Sequence, residues 1–167
     1  MSAGPRSRGD AWRWALALCG LVVAADQASK AAVVANLASG RTSSLPLGFQ
    51  LARVANHGVA FGFLGGGGAA VVVVTVAALG FVLVWFALDA QRPWLWVAVG
   101  LIAGGALGNL ADRARAGAVV DFIDPPLWPA FNLADVAITL GALALVTIVI
   151  PPKRNPERRE PRPRTRS

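Results

Sequence analysis

The chain has 167 residues, a length that suits one domain, and its residues are 55% hydrophobic and only 15% charged. The apolar residues lie in long runs without an amphipathic pattern, which indicates a membrane protein and excludes an ordinary water-soluble core. A single cysteine, Cys19, and a single histidine, His57, exclude disulfide frameworks and cysteine-rich or multi-histidine metal sites, and leave little material for a Ser-His-Asp triad.

Four apolar runs are long enough to cross a bilayer as helices. They cover residues 12–35, 69–88, 93–110 and 131–150, and a helix of roughly 20 residues spans a hydrocarbon layer of about 30 Å. The first run follows basic residues, as in a cleavable signal peptide, but its small-residue pattern at 15–17 stands at the start of the run and not after it. We therefore predict an all-α membrane protein with four transmembrane helices.

The connections between these runs differ in length. The first, 36–68, contains an alternating segment at 49–54 that predicts short strand structure, and its part 36–53 is a candidate lid. We therefore expect a small β-like extracytoplasmic segment between spans one and two. The third connection, 111–130, is also long, whereas 89–93 is a tight turn, so function is expected on the face that carries the two long connections.

The formal net charge of +7 lies mainly at the chain ends, which favours a role in topology over nucleic-acid binding. Eleven lysines and arginines fall in the N-terminal segment, the 89–93 turn and the C-terminal tail, against five on the other side. The positive-inside rule then predicts that both termini are cytoplasmic. We expect a cytoplasmic segment at 1–11, a four-span domain at 12–150 and a disordered basic tail at 151–167.

Five of the nine acidic residues are predicted to lie at or near the outer ends of spans. They are Asp26, Asp112, Asp121, Asp124 and Asp135, and the same face carries Asn56, Asn109 and Asn132. Ionisable groups are costly to bury near lipid, so their clustering indicates a functional site. The spacing of Asp26 and Lys30 predicts an ion pair on one helix face.

Glycines recur every four residues along the third run. Gly100, Gly104 and Gly108 predict a face on which helices pack closely. Asn109, Asp112 and Arg113 then share one face of the same helix. The adjacent acid and base are expected to be paired or networked with their neighbours, which favours a structural brace over a catalytic acid.

Two interpretations of Asp135 remain open at this point. With Asn132, it has the spacing of a helix N-cap and its third-position partner. The other interpretation is that Asp121 folds back toward Asp135. Two close carboxylates in a partly desolvated site share a proton, so one activates water and the other protonates the leaving nitrogen. Spacing alone favours the cap.

Five segments, taken in order, resemble the bacterial lipoprotein signal peptidases (signal peptidase II). They are Asp26-Gln27-x-Ser29-Lys30, Asn56-x-Gly58-x-Ala60-Phe61-Gly62, Gly104-Gly105-x-x-Gly108-Asn109-x-x-Asp112-Arg113, Val120-Asp121-Phe122 and Phe131-Asn132-x-Ala134-Asp135. One such segment is a weak signal, but their order and spacing over nearly all of residues 12–150 are specific.

The resemblance implies a membrane aspartic endopeptidase that removes signal peptides from prolipoproteins, cutting before a cysteine that carries diacylglycerol. It implies Asp121 and Asp135 as the catalytic dyad. It also implies a supporting or substrate-binding set: Asp26, Lys30, Asn56, Gly108, Asn109, Asp112, Arg113 and Asn132.

The same resemblance implies no metal or other cofactor, and inhibition by the cyclic peptide globomycin. The expected location is the bacterial inner (cytoplasmic) membrane, with the site toward the outer face. Prolipoprotein and membrane lipid are the expected partners, nucleic acid is not, and the chain is expected to be monomeric.

Two other classes of function fit these residues less well than the peptidase. A small proton- or ion-coupled transporter spreads its carboxylates through the bilayer depth, often in repeated halves, whereas here the acids crowd one face and no internal repeat is evident. A structural membrane subunit with glycine-faced helices leaves the five clustered carboxylates unexplained.

Overall fold

The computed structural model describes residues 7–38, 40–58 and 67–150. The predicted tail at 151–167, most of the N-terminal segment and the motif residues Ala60, Phe61 and Gly62 lie outside this part of the chain. Its helices are α1 (Arg8–Asn36), α2 (Gly67–Leu88), α3 (Leu95–Ala116) and α4 (Leu133–Val149).

All four helices are apolar, but they do not have the same length. The first three are long and apolar enough to cross a membrane by themselves, whereas α4 is a shorter apolar helix of 17 residues. At 1.5 Å per residue, α4 is about 25 Å long, slightly less than the hydrocarbon core. The four apolar helices agree with the four predicted runs, and four complete spans remain a prediction.

A three-stranded antiparallel sheet lies beside the helices, in the order β1 (Thr42–Ser44), β2 (Gln50–Asn56) and β3 (Val119–Asp124). The strand expected at 49–54 is confirmed by β2. The all-α prediction with β structure only between spans one and two was wrong in one respect, because β3 comes from the connection between α3 and α4. Asp121 interrupts the short apolar run of β3, which hides its strand character in the sequence.

The helix α3 extends well beyond the predicted end at residue 110, to Ala116. It ends at Gly117, which has φ 71°, and the Gly117 N–H bonds the carbonyl of Arg113. Apolar run length underestimates this helix because its last two turns carry polar side chains that face other parts of the protein and not lipid.

Close glycine contacts place α3 between α1 and α4. A Cβ added at Gly104 would lie 2.6 Å from Cβ of Val22 on α1, and one added at Gly108 would lie 2.6 Å from Oδ2 of Asp26. The predicted small-residue face is therefore confirmed as the contact with α1. The α4 contact uses Gly105 instead, whose added Cβ would overlap the carbonyl oxygen of Ala134.

The helix α2 lies at the outside of the bundle and buries little of its surface. Its exposed apolar side chains include Val73, Val74, Phe81 and Leu88. Near its end, the buried Phe86 packs with Trp12, with ring centroids 4.7 Å apart. Such an apolar outer surface suits contact with lipid.

Candidate active site

One end of the bundle collects the predicted polar residues from five different elements. Asp26 and Lys30 come from α1, Asn56 from the end of β2, Asn109 from α3, Asp121 from β3 and Asp135 from α4. Pairing of Val54 with Asp121 in the sheet brings the connection after α3 against the end of β2. The residues are distant in the sequence, and the sheet is what brings them together.

Asp121 is almost fully buried, with 2% of its surface exposed. Its Oδ2 accepts a hydrogen bond from Nδ2 of Asn56 at 2.9 Å, and its Oδ1 accepts one from Nδ2 of Asn132 at 2.6 Å. Burial raises the pKa of Asp121 above its usual value, and the nearby charge of Asp135 raises it further, whereas the hydrogen bonds from Asn56 and Asn132 lower it. The result is a carboxyl group that holds its proton more tightly than an exposed aspartate.

Asp135 lies at the third position of α4 and completes a capping box with Asn132. Its backbone N–H donates to Oδ1 of Asn132, and its Oδ2 accepts from the backbone N–H of Asn132, both at 3.1 Å. The helix-cap interpretation is therefore confirmed. Yet Oδ1 of Asp135 also accepts from Nδ2 of Asn109 at 2.8 Å, so the same carboxylate belongs to the buried polar network.

Asn132 is the residue that joins the two carboxylates, because its side chain contacts Asp121 and its backbone contacts Asp135. It is fully buried, and its Nδ2 also donates to Oδ1 of Asn109 at 3.1 Å. Oδ1 of Asn109 accepts in addition from Nζ of Lys30 at 2.9 Å. An ammonium only donates hydrogen bonds, so Lys30 fixes the Asn109 amide with its nitrogen toward Asp135.

A buried ion cluster lies beneath these amides. Nζ of Lys30 is 2.8 Å from Oδ2 of Asp26 and 2.7 Å from Oδ2 of Asp112. The predicted Asp26–Lys30 pair is confirmed, and Asp112 takes part in a brace as expected. Oδ1 of Asp26 also accepts from the backbone N–H of Ala134 at 3.0 Å, which ties α1 to the first turn of α4.

Two residues of this network were not among the sequence-predicted site residues. Nε2 of Gln27 donates to Oδ1 of Asp112 at 2.9 Å, and its Oε1 accepts from Arg115 at 2.6 Å. Gln27 stands inside the first motif, so its position beside Asp26 was an available signal. No signal pointed to Arg115, because the connection after residue 110 was not expected to continue α3.

Arg113 and Asp124 lie at the edge of the cluster. Arg113 donates to the backbone carbonyl of Asn109 at 3.4 Å, and its Nε is buried without a hydrogen-bond partner among the described residues. Asp124 ends β3, opposite Gln50, and within the described chain its carboxylate forms no hydrogen bond with the cluster.

An open, mostly apolar pocket of about 360 Å³ adjoins Asp135. Its lining residues are Trp128, Phe131, Asp135, Val136, Thr139 and Leu140. A second apolar pocket, of about 190 Å³, shares Val136 and Leu140 with it and continues toward α1 and α3. An apolar segment of a ligand that lies against this surface is therefore next to the Asp135 carboxylate.

Comparison with known proteins shows the family to which this chain belongs. The sequence model of signal peptidase (SPase) II matches residues 18–150. The chain belongs to this family. It is 46% identical to the lipoprotein signal peptidase of Pelotomaculum thermopropionicum over 127 residues, which are 75% of this chain and 84% of that relative. It is 41% identical to that of Nitratidesulfovibrio vulgaris over 158 residues, 88% and 94% of the two chains.

A solved structure described as a bacterial membrane enzyme is also similar. It superposes with a TM-score of 0.76 at 30% identity, and the match covers 83% of this chain and 93% of that one. Signal peptidase II is a family of membrane peptidases, so the resemblance noted in the sequence is confirmed. The transporter interpretation has no support from these similarities.

Proposed function

We propose that this chain is an aspartic endopeptidase that removes signal peptides from prolipoproteins, cutting before the diacylglyceryl-modified cysteine. In this proposal Asp121 and Asp135 are the catalytic dyad. The observation that carries it is the position of Asn132, which bonds Asp121 through its side chain and Asp135 through its backbone. The similarity to lipoprotein signal peptidases supplies the substrate class.

The chemistry follows from a pair of carboxyl groups that share one proton. The ionised member accepts a proton from water as the water oxygen attacks the scissile carbonyl carbon. The protonated member donates to the carbonyl oxygen, which gives a tetrahedral diol. When the diol collapses, the C–N bond breaks and the leaving nitrogen takes the proton that the first carboxyl accepted from water. The second carboxyl regains its proton from a diol hydroxyl, so one water molecule is consumed for each bond.

The remaining polar residues orient the two carboxyl groups of the proposed dyad. Asn56 and Asn132 hold Asp121, and Asn109 holds Asp135. The charge of Lys30 fixes the Asn109 amide, while Asp26 and Asp112 neutralise that charge. In this proposal Gly108 leaves space for Asp26, and Arg113, whose Nε has no hydrogen-bond partner among the described residues, takes part in substrate binding.

The apolar pocket beside Asp135 suits a substrate that is anchored in lipid. Its walls from Trp128, Phe131 and Leu140 are hydrophobic, so the signal helix or an acyl chain is able to dock without losing its apolar surroundings. We further propose that the enzyme is monomeric and requires no cofactor. It lies in the bacterial inner membrane with both termini cytoplasmic, in agreement with the arginines at the end opposite the site.

The dyad is tested in cells depleted of their own lipoprotein signal peptidase. Asp121→Asn and Asp135→Asn keep the side-chain shape but remove the acid–base function, so each is expected to lower processing by at least about 100-fold. The measurement is the ratio of prolipoprotein to mature lipoprotein, at matched amounts of membrane-inserted enzyme.

Asp124→Asn is the matched control, since Asp124 lies on the same strand as Asp121 but outside the network. It should process prolipoprotein at the wild-type rate, and globomycin should block that processing. Full processing by either dyad variant would refute the assignment of Asp121 and Asp135.

A further inference from the structure

A second pocket lies at the opposite end of the bundle, roughly 20 Å from Asp135 along the axis of α4. It is an open pocket of about 490 Å³ between the start of α3 and the end of α4. Its lining residues are Arg92, Pro93, Trp94, Val97, Ala144, Thr147 and Ile148. The peptidase chemistry uses none of them, so this pocket requires a separate explanation.

Arg92 holds a positive charge at the rim of this pocket. Its guanidinium donates to the carbonyl oxygen of Ile148 at 2.7 Å and lies 3.5 Å from Oδ2 of Asp89. These contacts attach the side chain to the end of α4, yet about a third of it, 34%, stays exposed. An arginine has five N–H donors in a planar fork, so donors remain for a phosphate group.

Trp94 lies next to Arg92 in a strained backbone conformation. It has φ 65°, in the left-handed region that favours glycine, and it caps the start of α3. Its side chain lines the pocket although the residue is 52% exposed. Backbone strain that persists at an exposed aromatic residue indicates a function, and indole rings favour the headgroup level of a bilayer.

The charge of this end of the protein also selects for an anion. Among the described residues, Arg8, Arg13 and Arg92 outnumber Asp10 and Asp89 here. The sequence that follows α4 contains Lys153 and six arginines against two glutamates. A basic surface at the membrane interface attracts anionic lipid headgroups.

We propose that the pocket binds an anionic phospholipid. The phosphate lies against the guanidinium of Arg92, and the Trp94 indole covers the glycerol region. One acyl chain follows the apolar wall of Val97, Ala144 and Ile148. A free phosphate ion makes no use of that wall, and a zwitterionic lipid gains less from the positive end of the bundle.

The experiment measures the thermal unfolding midpoint, Tm, of the full-length protein in neutral detergent. Phosphatidylglycerol is titrated in, and phosphatidylcholine and soluble glycerol phosphate are titrated separately. A ligand that binds only the folded protein raises its stability, and at saturation we expect phosphatidylglycerol to raise the wild-type Tm by about 5 °C. Phosphatidylcholine and glycerol phosphate should raise it by less than half as much.

Two variants test the pocket itself. Arg92→Gln removes the charge, and Trp94→Gly removes the indole while it relieves the strained φ, so the second variant does not depend on a weakened fold. Each should lose at least half of the increase that phosphatidylglycerol causes, whatever its Tm without lipid. Both should process prolipoprotein at the wild-type rate, because neither residue belongs to the catalytic cluster.

Arg13→Gln is the matched control. Arg13 carries the same charge at the same end, with its side chain 84% exposed, but it does not line this pocket. It should keep the full response to phosphatidylglycerol. The proposal is overturned if Arg92→Gln and Trp94→Gly respond as the wild type does, if Arg13→Gln loses as much as they do, or if glycerol phosphate stabilises as strongly as the lipid.

Discussion

At the scale of single residues, the protonation of Asp121 is set by opposing influences. Burial and the charge of Asp135 raise the pKa of Asp121, while hydrogen bonds from Asn56 and Asn132 lower it. Asn132 also caps α4, so its removal would change both the pKa of Asp121 and the cap of this helix. Asn56 is the residue through which the pKa of Asp121 can be changed most selectively.

Asn56→Ala removes a hydrogen bond that favours the ionised carboxylate, so the pKa of Asp121 should rise further. The proposed dyad needs one proton, so it should lose activity as the pH rises through that pKa. The alkaline limb of the pH profile of kcat should therefore move to higher pH. Near neutral pH, kcat should fall by about 10- to 100-fold, because the Asp121 carboxyl loses one of the two hydrogen bonds that hold it in place.

His57→Ala is the control for this measurement, since His57 is the next residue along the chain and is exposed. Its alkaline limb should coincide with that of the wild type. An unchanged limb in Asn56→Ala would mean that Asp121 does not govern the alkaline loss of activity.

The residue types of the site were readable from the sequence, but their geometry was not. Clustered carboxylates and amides at span ends indicated Asp26, Asn109 and Asp135 without a structure. The meeting of Asp121 with Asn132 depends on a strand pairing between distant segments, which no local pattern encodes. The amide of Gln27 was overlooked for a related reason, because its partner Asp112 is on another helix.

At the scale of the elements, apolar run length predicted the number of helices but not their ends. The helix α3 continues to Ala116 because its final turns contact the polar cluster, and hydropathy treats such residues as a loop. The strand β3 was missed because a buried carboxylate interrupts it. Both errors occur at the site, where local sequence preference and function disagree.

The contact between α3 and α4 positions Asp135, and it depends on Gly105. A Cβ there would overlap the carbonyl oxygen of Ala134 and lie 2.8 Å from Cγ1 of Ile138. Gly105→Ala should therefore move α4 away from α3 and lower stability by about 1–3 kcal/mol. Processing should fall as well, because the hydrogen bond from Asn109 to Asp135 joins the same two helices. Thermal unfolding and processing assays measure the two effects.

Gly80→Ala is the matched control, since Gly80 lies inside α2 with nothing within 4 Å of its added Cβ. Alanine favours a helix interior by about 1 kcal/mol over glycine, so this variant should be as stable as the wild type or more stable. Equal stability of the Gly105→Ala and Gly80→Ala proteins would contradict the close packing of α3 on α4.

At the scale of the whole molecule, a buried ion cluster joins three of the four helices, while α2 remains at the outside. Asp26 of α1 contacts Lys30 of its own helix and the backbone of Ala134 in α4, and Lys30 contacts Asp112 of α3. Lys30 lies between the carboxylates of Asp26 and Asp112, and both are needed to hold it in position. The cluster therefore acts on the proposed dyad through the relative position of the helices.

Asp26→Asn preserves the shape of the side chain but leaves Lys30 with one carboxylate. Breaking a buried pair in this way costs about 3–5 kcal/mol, which corresponds to a decrease in Tm of about 10 °C. Activity should fall in parallel with the folded fraction, and it should recover when the temperature is lowered.

Asp10→Asn is the comparison, because Asp10 forms a pair with Arg13 that is exposed and 3.8 Å long, and such a pair contributes at most about 1 kcal/mol. If Asp26→Asn instead gave a stable protein that binds prolipoprotein without cutting it, Asp26 would have to join Asp121 and Asp135 in the chemistry. The cluster would then be part of the reaction and not only its support.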